Sequence, residues 1–169
     1  MFRHVRQGGK RRRKRTYGPE KRGKLPNKPM IDTRSEAIEY RQEVGHWEGD
    51  TVMGSVGERC CLLTLVERAT GFGVIIRLPH RTVRAVTRAT IELIRSSSLP
   101  FKTITWDNGT EFHGYRQIEQ ATGVQSFFAY PHHPWERGSN ENFNGLARQL
   151  PEGQEPGKNA PIRLRSGGR

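Results

Sequence analysis

The feature that most constrains the fold is a run of three apolar segments separated by short turns that contain glycine. The segments at residues 45–53, 60–67 and 72–78 are strand-sized, and turns at 54–57 and 69–71 connect them. Such short connections join antiparallel strands, whereas parallel strands need a much longer crossover. The sequence therefore predicts an antiparallel three-stranded meander at the start of the folded body.

The hydrophobic period changes after the meander. Between residues 82 and 97 apolar side chains recur at spacings of three and four, which is typical of an amphipathic helix. Strands at 101–106 and 124–129 then alternate with helices at 111–122 and 137–150. The order βββ-α-β-α-β-α predicts an α/β protein with a mixed sheet and helices on its faces, because parallel crossovers cover the sheet. This architecture matches an RNase H-like fold.

The positive charge is concentrated at one end of the chain. The formal net charge is +12, and residues 1–28 contain 12 basic side chains and one acid, whereas residues 29–150 contain 13 bases and 14 acids. The first segment has no apolar periodicity, so we expect a disordered basic arm. Arginine pairs bidentately with phosphate, which favours a nucleic-acid partner, although a solvated tail has a similar composition. The residues expected to contact DNA in this arm are Arg11, Arg12, Arg13, Lys14 and Arg15.

Composition excludes several classes of protein. No apolar run is long enough to span a membrane, and the N-terminus lacks the apolar core of a secretory signal. Cys60 and Cys61 are adjacent, which excludes a disulfide framework and indicates a reduced, cytoplasmic protein. We expect residues 29–150 to form the folded core, and residues 151–169, rich in Gly, Pro and Arg, to be a disordered tail.

Three carboxylates are candidates for a shared site. Asp50 lies in the first strand, Asp107 directly follows the fourth, and Glu141 lies in the last helix. If the first and fourth strands are neighbours, the two aspartates emerge close together at the end of the sheet. Mg²⁺ prefers such hard oxygen ligands, and two ions can activate a nucleophile and stabilise the leaving oxygen of a phosphodiester. Without a cation, clustered acids repel each other.

Spacing alone does not choose among the acids of these segments. Glu48 lies on the same strand face as Asp50, and Glu111 and Glu136 flank the other candidates. Each candidate also has an ordinary interpretation. Residues 107–109, Asp-Asn-Gly, form a common turn signal, and an aspartate in a strand is often an exposed edge charge. These alternatives stay open at the level of spacing.

The last helix carries further polar candidates. Glu141, Asn144 and Arg148 recur on one helical face, so we expect Asn144 and Arg148 to contact DNA beside the acid. His132 and His133 lie in the loop before this helix. Their residue type suits metal ligands or phosphate contacts, but loop histidines are more often ordinary polar residues, and the sequence does not distinguish these roles.

Three long strings of residues resemble one protein family. The strings are GHWEGDT at 45–51, TWDNGTEF at 105–112 and PWERGSNENFNG at 134–145. They are similar to the bacterial DDE transposases of the IS-thirty insertion-sequence family. The resemblance implies an integrase-type catalytic core in which Asp50, Asp107 and Glu141 form the catalytic and metal-binding triad. It also implies Mg²⁺ as the cofactor, with Mn²⁺ as a substitute.

The same resemblance implies a reaction and its partners. Family members hydrolyse DNA at transposon ends and then attack target DNA with the freed 3′-OH, so we expect transposon-end and target DNA as partners. A homodimer or a higher synaptic multimer is expected, at the nucleoid in the bacterial cytoplasm, with no membrane partner and no small-molecule substrate.

Two departures from the family pattern lead to a further expectation. The N-terminal helix-turn-helix region and the family's C-terminal continuation have no counterpart in this sequence. We therefore expect a core that is truncated at both ends and is weak or defective in transposition alone. The alternative is a catalytically silent fragment that only binds DNA non-specifically or interacts with a transposase.

Overall fold

The computed structural model describes residues 25–53, 60–130, 143–144 and 161–163. In chain order, its elements are a 3-10 helix (Ile31–Thr33), α1 (Glu36–Glu39), β1 (His46–Met53), β2 (Cys61–Glu67), β3 (Phe72–Leu78), α2 (Val83–Ser96), β4 (Thr103–Trp106), a second 3-10 helix (Thr110–Phe112), α3 (Tyr115–Thr122), β5 (Gln125–Phe128) and β6 (Pro161–Arg163). Within these ranges, no helix is long and apolar enough to cross a membrane.

The described strands form one mixed sheet in the order β5-β4-β1-β2-β3-β6. β1, β2 and β3 pair antiparallel, which confirms the predicted meander. β4 pairs parallel with β1, and β5 pairs parallel with β4. The first and fourth strands are therefore neighbours. With helices on its faces, this arrangement is the predicted RNase H-like α/β fold.

The main apolar core lies between the sheet and the helices α2 and α3. Two tryptophans that face this core are at most 1% exposed, and each stacks on a phenylalanine. The ring centroids of Trp47 and Phe101 are 4.4 Å apart, and those of Trp106 and Phe112 are 4.7 Å apart. Stacked pairs of this kind add about 0.5–1.5 kcal/mol beyond the area that they bury. These two stacked pairs anchor β1 and β4 to the main core.

A smaller apolar cluster lies on the opposite face of the sheet. It contains Val66, Ile75 and Phe143. A Cβ atom on Gly73 would lie 2.1 Å from Cε2 of Phe143, so the missing side chain at this position lets the ring lie directly on β3. The helical pair of residues 143–144 is thereby fixed on the face opposite α2 and α3.

One predicted helix is divided in the structure. The sequence predicts a continuous helix over 111–122, but a 3-10 turn precedes α3, and Gly114 is the residue before that helix. A Cβ atom on Gly114 would lie 2.0 Å from Oγ1 of Thr87 in α2. The close approach of α2 therefore requires a glycine there, and this tertiary contact overrides the helical pattern of the segment.

Residues from both segments that were predicted to be disordered, the N-terminal arm and the C-terminal tail, contact the folded core. Pro161–Arg163 pair antiparallel with β3, so the prediction of a disordered tail is wrong for these residues. Backbone hydrogen bonds to the open edge of β3 need no apolar period, which is why the sequence pattern missed this strand. At the other end, Leu25 packs against the main core, and Lys28 contacts Asn108 and Phe128. Residues 1–24 of the predicted arm lie outside the described residues.

Candidate active site

Asp50 and Asp107 occupy equivalent positions along the neighbouring parallel strands β1 and β4. The last registered pair is Gly49 opposite Trp106, and each aspartate is the next residue along its chain. Neighbouring strands lie about 4.8 Å apart. Since side chains alternate along a strand, Asp50 faces away from the main core, and Asp107 leaves β4 directly after the same registered pair. Both aspartates are half-buried. Two acids so arranged are positioned to share a cation.

The backbones that carry the two aspartates are held in close contact. A Cβ atom on Gly49 would lie 2.2 Å from Cζ3 of Trp106, so the indole ring occupies the space that a side chain at position 49 would need. Trp106 is fully buried. The spacing of Asp50 and Asp107 therefore depends on a glycine and a tryptophan that immediately precede them.

The carboxylate of Asp50 is oriented by two hydrogen bonds. The backbone N–H of Thr51 donates to Oδ1 at 2.7 Å, and Nδ2 of Asn144 donates to Oδ2 at 2.9 Å. The amide of Asn144 is in turn fixed, because Oγ1 of Thr64 donates to its Oδ1 at 2.9 Å. Each oxygen of Asp50 thus has a hydrogen-bond partner that sets its direction.

Asn144 has a different position from the one expected for a DNA contact. Its side chain is buried, and its amide bonds to Asp50 and Thr64. The helical spacing predicted that Asn144 shares a helix face with Glu141. It did not predict that the Asn144 side chain bonds to residues of the sheet. We assign Asn144 to orienting Asp50.

Asp107 begins a compact turn. Its Oδ1 accepts a hydrogen bond from the backbone N–H of Gly109 at 2.8 Å. The next residue, Asn108, donates from Nδ2 to the carbonyl oxygen of Ala129 at 2.5 Å and accepts a hydrogen bond from Lys28. The turn is therefore tied to the segment after β5, which fixes the direction in which Asp107 leaves β4.

The structure distinguishes Glu48 from Asp50, although both lie on the same strand face. Glu48 is fully buried, and its Oε1 lies 3.6 Å from Nη1 of Arg68. Glu48 is therefore a buried ion-pair partner of Arg68 in the protein interior. Asp50 is the more accessible of the two acids, so it is the better candidate for a cation.

Arg68 belongs to a buried ionic cluster that sequence reasoning missed. Its Nη2 donates to Oε2 of Glu39 at 3.3 Å, and the same carboxylate pairs with Arg34. Nη1 of Arg34 donates to Oγ1 of Thr105 at 3.0 Å. Thr105 is opposite Glu48 in the β1–β4 register, one alternation before the two aspartates. Local spacing does not signal this cluster, because Arg68 lies 29 positions from Glu39, and Arg34 lies 71 positions from Thr105.

Glu111 is the second acid whose role the structure identifies. It is 3% exposed, and its Oε1 accepts hydrogen bonds from Nε of Arg81 at 2.6 Å and from Oγ1 of Thr51 at 2.7 Å. Burial alone would raise the pKa of Glu111, but the hydrogen bonds from Arg81 and Thr51 lower it below its ordinary value. Glu111 is therefore an ionised partner of Arg81, a role that the spacing of acids did not predict.

The remaining predicted site residues lie outside the described residues. These are Glu141, Arg148, His132, His133, and the basic run Arg11, Arg12, Arg13, Lys14 and Arg15. Glu136, an alternative acid, lies outside them as well. Among the residues that are described, no three His, Cys, Asp or Glu side chains cluster in a way that could hold a metal ion. Asp50 and Asp107 are thus the described part of the predicted triad.

Comparison with known families is consistent with this geometry. Residues 41–134, from just before β1 to just after β5, match the profile of the integrase core domain. The chain belongs to the integrase core domain family. The match includes both aspartates and the strands β1 to β5, so the fold agrees with the family.

Curated relatives of this integrase core are named as transposases. The chain is 35% identical to the transposase for insertion sequence element IS1086 of Cupriavidus metallidurans, over 89% of this chain and 45% of that protein. It is 35% identical to the IS4351 transposase of Bacteroides fragilis, over 92% of this chain and 48% of that protein. It is 38% identical to transposase InsI for IS30A of Escherichia coli, over 74% of this chain and 32% of that protein. The chain therefore spans a third to a half of the length of these relatives.

A solved structure was also matched. The catalytic core domain of BIV integrase superposes with a TM-score of 0.47 and 20% sequence identity, over 57% of this chain and 62% of that chain.

Proposed function

We propose that this integrase core catalyses DNA strand cleavage and strand transfer in transposition, as a DDE-type polynucleotidyl transferase. The observation that carries the proposal is that Asp50 and Asp107 each directly follow the last registered residue pair, Gly49 and Trp106, of the neighbouring parallel strands β1 and β4. Glu141, which the family resemblance implies as the third acid, completes the proposed triad. The substrates would be transposon-end DNA and target DNA.

The donor set at this site suits Mg²⁺, with Mn²⁺ as a substitute. Carboxylate oxygens are the hard ligands that Mg²⁺ prefers, and it is usually held by one or two carboxylates, waters and substrate phosphates. Both aspartates are partly accessible, and Asp50 is oriented by Asn144 and the N–H of Thr51. Asp50 and Asp107, with Glu141, would hold the metal. When bound, the metal would activate the attacking oxygen and stabilise the leaving oxygen of the phosphodiester.

The chain's own residues supply the orientation that this chemistry needs. Asn144 and the N–H of Thr51 fix both oxygens of Asp50, and the N–H of Gly109 fixes one oxygen of Asp107. Preorganised carboxylates do not have to be reoriented when substrate arrives, so less of the binding free energy is lost to ordering them.

A cleavage assay tests this proposal. The full chain is incubated with Mg²⁺ and DNA that carries the ends of a related insertion sequence, and strand nicks are counted for the wild type and for Asp107→Asn. We expect metal-dependent nicking by the wild type and at least a hundredfold less by the variant, because the substitution removes a metal-binding charge. If both proteins nick DNA equally, the assignment of Asp107 is wrong. If neither nicks while both bind DNA, the silent-fragment alternative is favoured.

The role of Asn144 gives a separate prediction. Asn144→Ala should weaken Mg²⁺ binding by about 10- to 100-fold, because groups that orient metal-binding carboxylates have effects of this size. Calorimetric titration of the full chain measures the change. Gln120→Ala, which removes an exposed amide from α3, is the control. Equal Mg²⁺ affinities for the wild type and Asn144→Ala would contradict the role of Asn144 in orienting Asp50.

The basic arm is proposed to supply affinity for DNA of any sequence. Deleting residues 1–24, the part that lies before Leu25, should remove most of the salt dependence of DNA binding, since phosphate neutralisation releases counterions. Binding to a short duplex at several salt concentrations measures this slope. An unchanged slope in the deletion variant would contradict the role of the arm.

A further inference from the structure

Two cationic side chains lie at the end of the sheet where the proposed site is found. β3, β4 and β5 all run in the same direction as β1, so the residues that follow these four strands meet at one end of the sheet. Arg81 lies in the segment after β3. Lys28 is brought to the same end by its contacts with Asn108, which follows β4, and with Phe128, the last residue of β5.

Arg81 is held by only one edge of its guanidinium group. Its Nε donates to Glu111, and within the described residues its two terminal nitrogens make no hydrogen bond. The side chain of Arg81 is 42% exposed, whereas Glu111 is buried. A buried carboxylate therefore fixes the direction of an arginine whose outer fork faces solvent. This fork has the geometry that binds two oxygens of a phosphate.

Lys28 is held in a comparable way. Its ammonium group donates to Oδ1 of Asn108 and lies 4.8 Å from the centroid of the Phe128 ring. An ammonium group has three N–H donors, and Asn108 uses one of them. Lys28 is half-buried, and within the described residues its ammonium group makes no hydrogen bond other than that to Asn108. Since Asn108 follows Asp107 directly, this cation is fixed next to the second aspartate.

Both cations are within electrostatic range of Asp107. The hydrogen bond to Glu111 raises the pKa of Arg81, and the nearby carboxylate of Asp107 adds to that increase. Burial lowers the pKa of Lys28, whereas Asp107 acts to raise it. Lys28 contacts the β4–β5 side of this region, and Arg81 contacts the side of β1 through Glu111 and Thr51. Two oriented positive charges therefore both act on Asp107.

We propose that Lys28 and Arg81 bind backbone phosphates of the DNA strand on either side of the phosphodiester that reaches Asp107. The proposal rests on the proposed function in placing a phosphodiester at this aspartate. Phosphate contacts fix the register of a protein on DNA without reading its sequence. Lys28 and Arg81 are thus assigned as positioning residues that hold the strand at the two carboxylates.

A metal-free binding experiment tests this assignment apart from catalysis. The full chain is titrated with a short DNA duplex of arbitrary sequence at several salt concentrations, without added metal. Lys28→Ala and Arg81→Ala should each reduce the slope of log K against log salt by about 1, because each removes one phosphate contact. Lys102→Ala and Arg88→Ala are the matched controls, since Lys102 lies at the opposite end of β4 and Arg88 on the exposed side of α2. We expect the controls to keep the wild-type slope.

A second variant separates phosphate binding from folding and from net charge. Arg81→Ala alone leaves Glu111 buried without its cation, so the double variant Arg81→Ala/Glu111→Gln is used beside it. The double variant has the same net charge as the wild type, and its slope should still fall by about 1. Arg81→Lys should retain most of the slope, because it keeps the charge.

Two results would overturn the proposal. The first is a double variant whose slope equals those of the wild type and Arg88→Ala, whatever its thermal stability. The second is an unchanged slope together with tighter Mg²⁺ binding by Lys28→Ala and Arg81→Ala, which would make the two cations counter-ions of Asp107 only. A failure of metal-dependent nicking would leave this binding result unaffected, so the two proposals fail separately.

Discussion

Replacing Arg68 by methionine should lower the free energy of unfolding by about 3–5 kcal/mol, the usual cost of removing one partner of a buried ion pair. Glu48 is fully buried, and Nη1 of Arg68 lies 3.6 Å from its carboxylate. In the variant, the carboxyl group of Glu48 would stay in the interior without that cation. Glu39 would also lose one of its two arginine partners. Urea unfolding of the full chain measures the change.

A double-mutant cycle shows whether the cost arises from the unpaired charge. Glu48→Gln/Arg68→Met removes both charges, so it should be substantially more stable than Arg68→Met alone. Lys102→Met is the control, because it breaks an exposed ion pair with Glu43, and exposed pairs contribute little. If Arg68→Met were as mild as Lys102→Met, the buried cluster would not stabilise the sheet beneath the two aspartates.

Gly49→Ala should be destabilising and should also disturb the site. The added Cβ would lie 2.2 Å from Cζ3 of Trp106, which is fully buried and stacked on Phe112. Inserting a methyl group into a filled core costs about 1–3 kcal/mol, and occasionally more. Because residues 49 and 106 directly precede the two aspartates, any relief of the clash moves at least one carboxylate. Unfolding and Mg²⁺ titration of the full chain measure the two effects.

A compensating substitution tests whether contact with the Trp106 ring causes the destabilisation of Gly49→Ala. Trp106→Leu removes the ring that the new methyl group would meet. Alone it should be destabilising through the cavity that it leaves, by less than the loss of about 3–5 kcal/mol that is typical of Trp→Ala. Gly49→Ala/Trp106→Leu should therefore be less destabilised than the two single changes added together. A wild-type stability for Gly49→Ala, or strict additivity in the double variant, would contradict the close packing of β1 on β4.

Much of the fold was predictable because its signals are local. The meander follows from three apolar segments and their short turns, and the parallel addition of β4 follows from the intervening helix. The features that were missed depend on contacts across the sequence. The break before α3 results from the approach of Gly114 to Thr87, and β6 results from pairing with the open edge of β3.

The candidate site shows the same division. Asp50 and Asp107 could be proposed because Asp107 follows the end of a strand, Asp50 lies in a strand expected beside it, and their surrounding strings resemble a known family. The orientation of Asp50 by Asn144 joins residues 94 positions apart, and the hydrogen bond from Arg34 to Thr105 spans 71 positions. Periodicity shows which residues share a helix or strand face, but it does not show which partner that face meets. Glu141 and Arg148 stay predictions from sequence, since they lie outside the described residues.

The central claim is that Asp50 and Asp107 together hold a divalent metal. Titration of the full chain with Mg²⁺, and with Mn²⁺ as a substitute, tests it most directly when the wild type is compared with Asp107→Asn. The substitution keeps the size of the side chain and an oxygen that can accept from the N–H of Gly109, but it replaces the other oxygen with an NH2 group and removes the charge. A loss of binding therefore reports on the metal site rather than on folding. The account predicts saturable binding by the wild type and a loss of at least tenfold in affinity for the variant. Equal metal binding by the two proteins would contradict it.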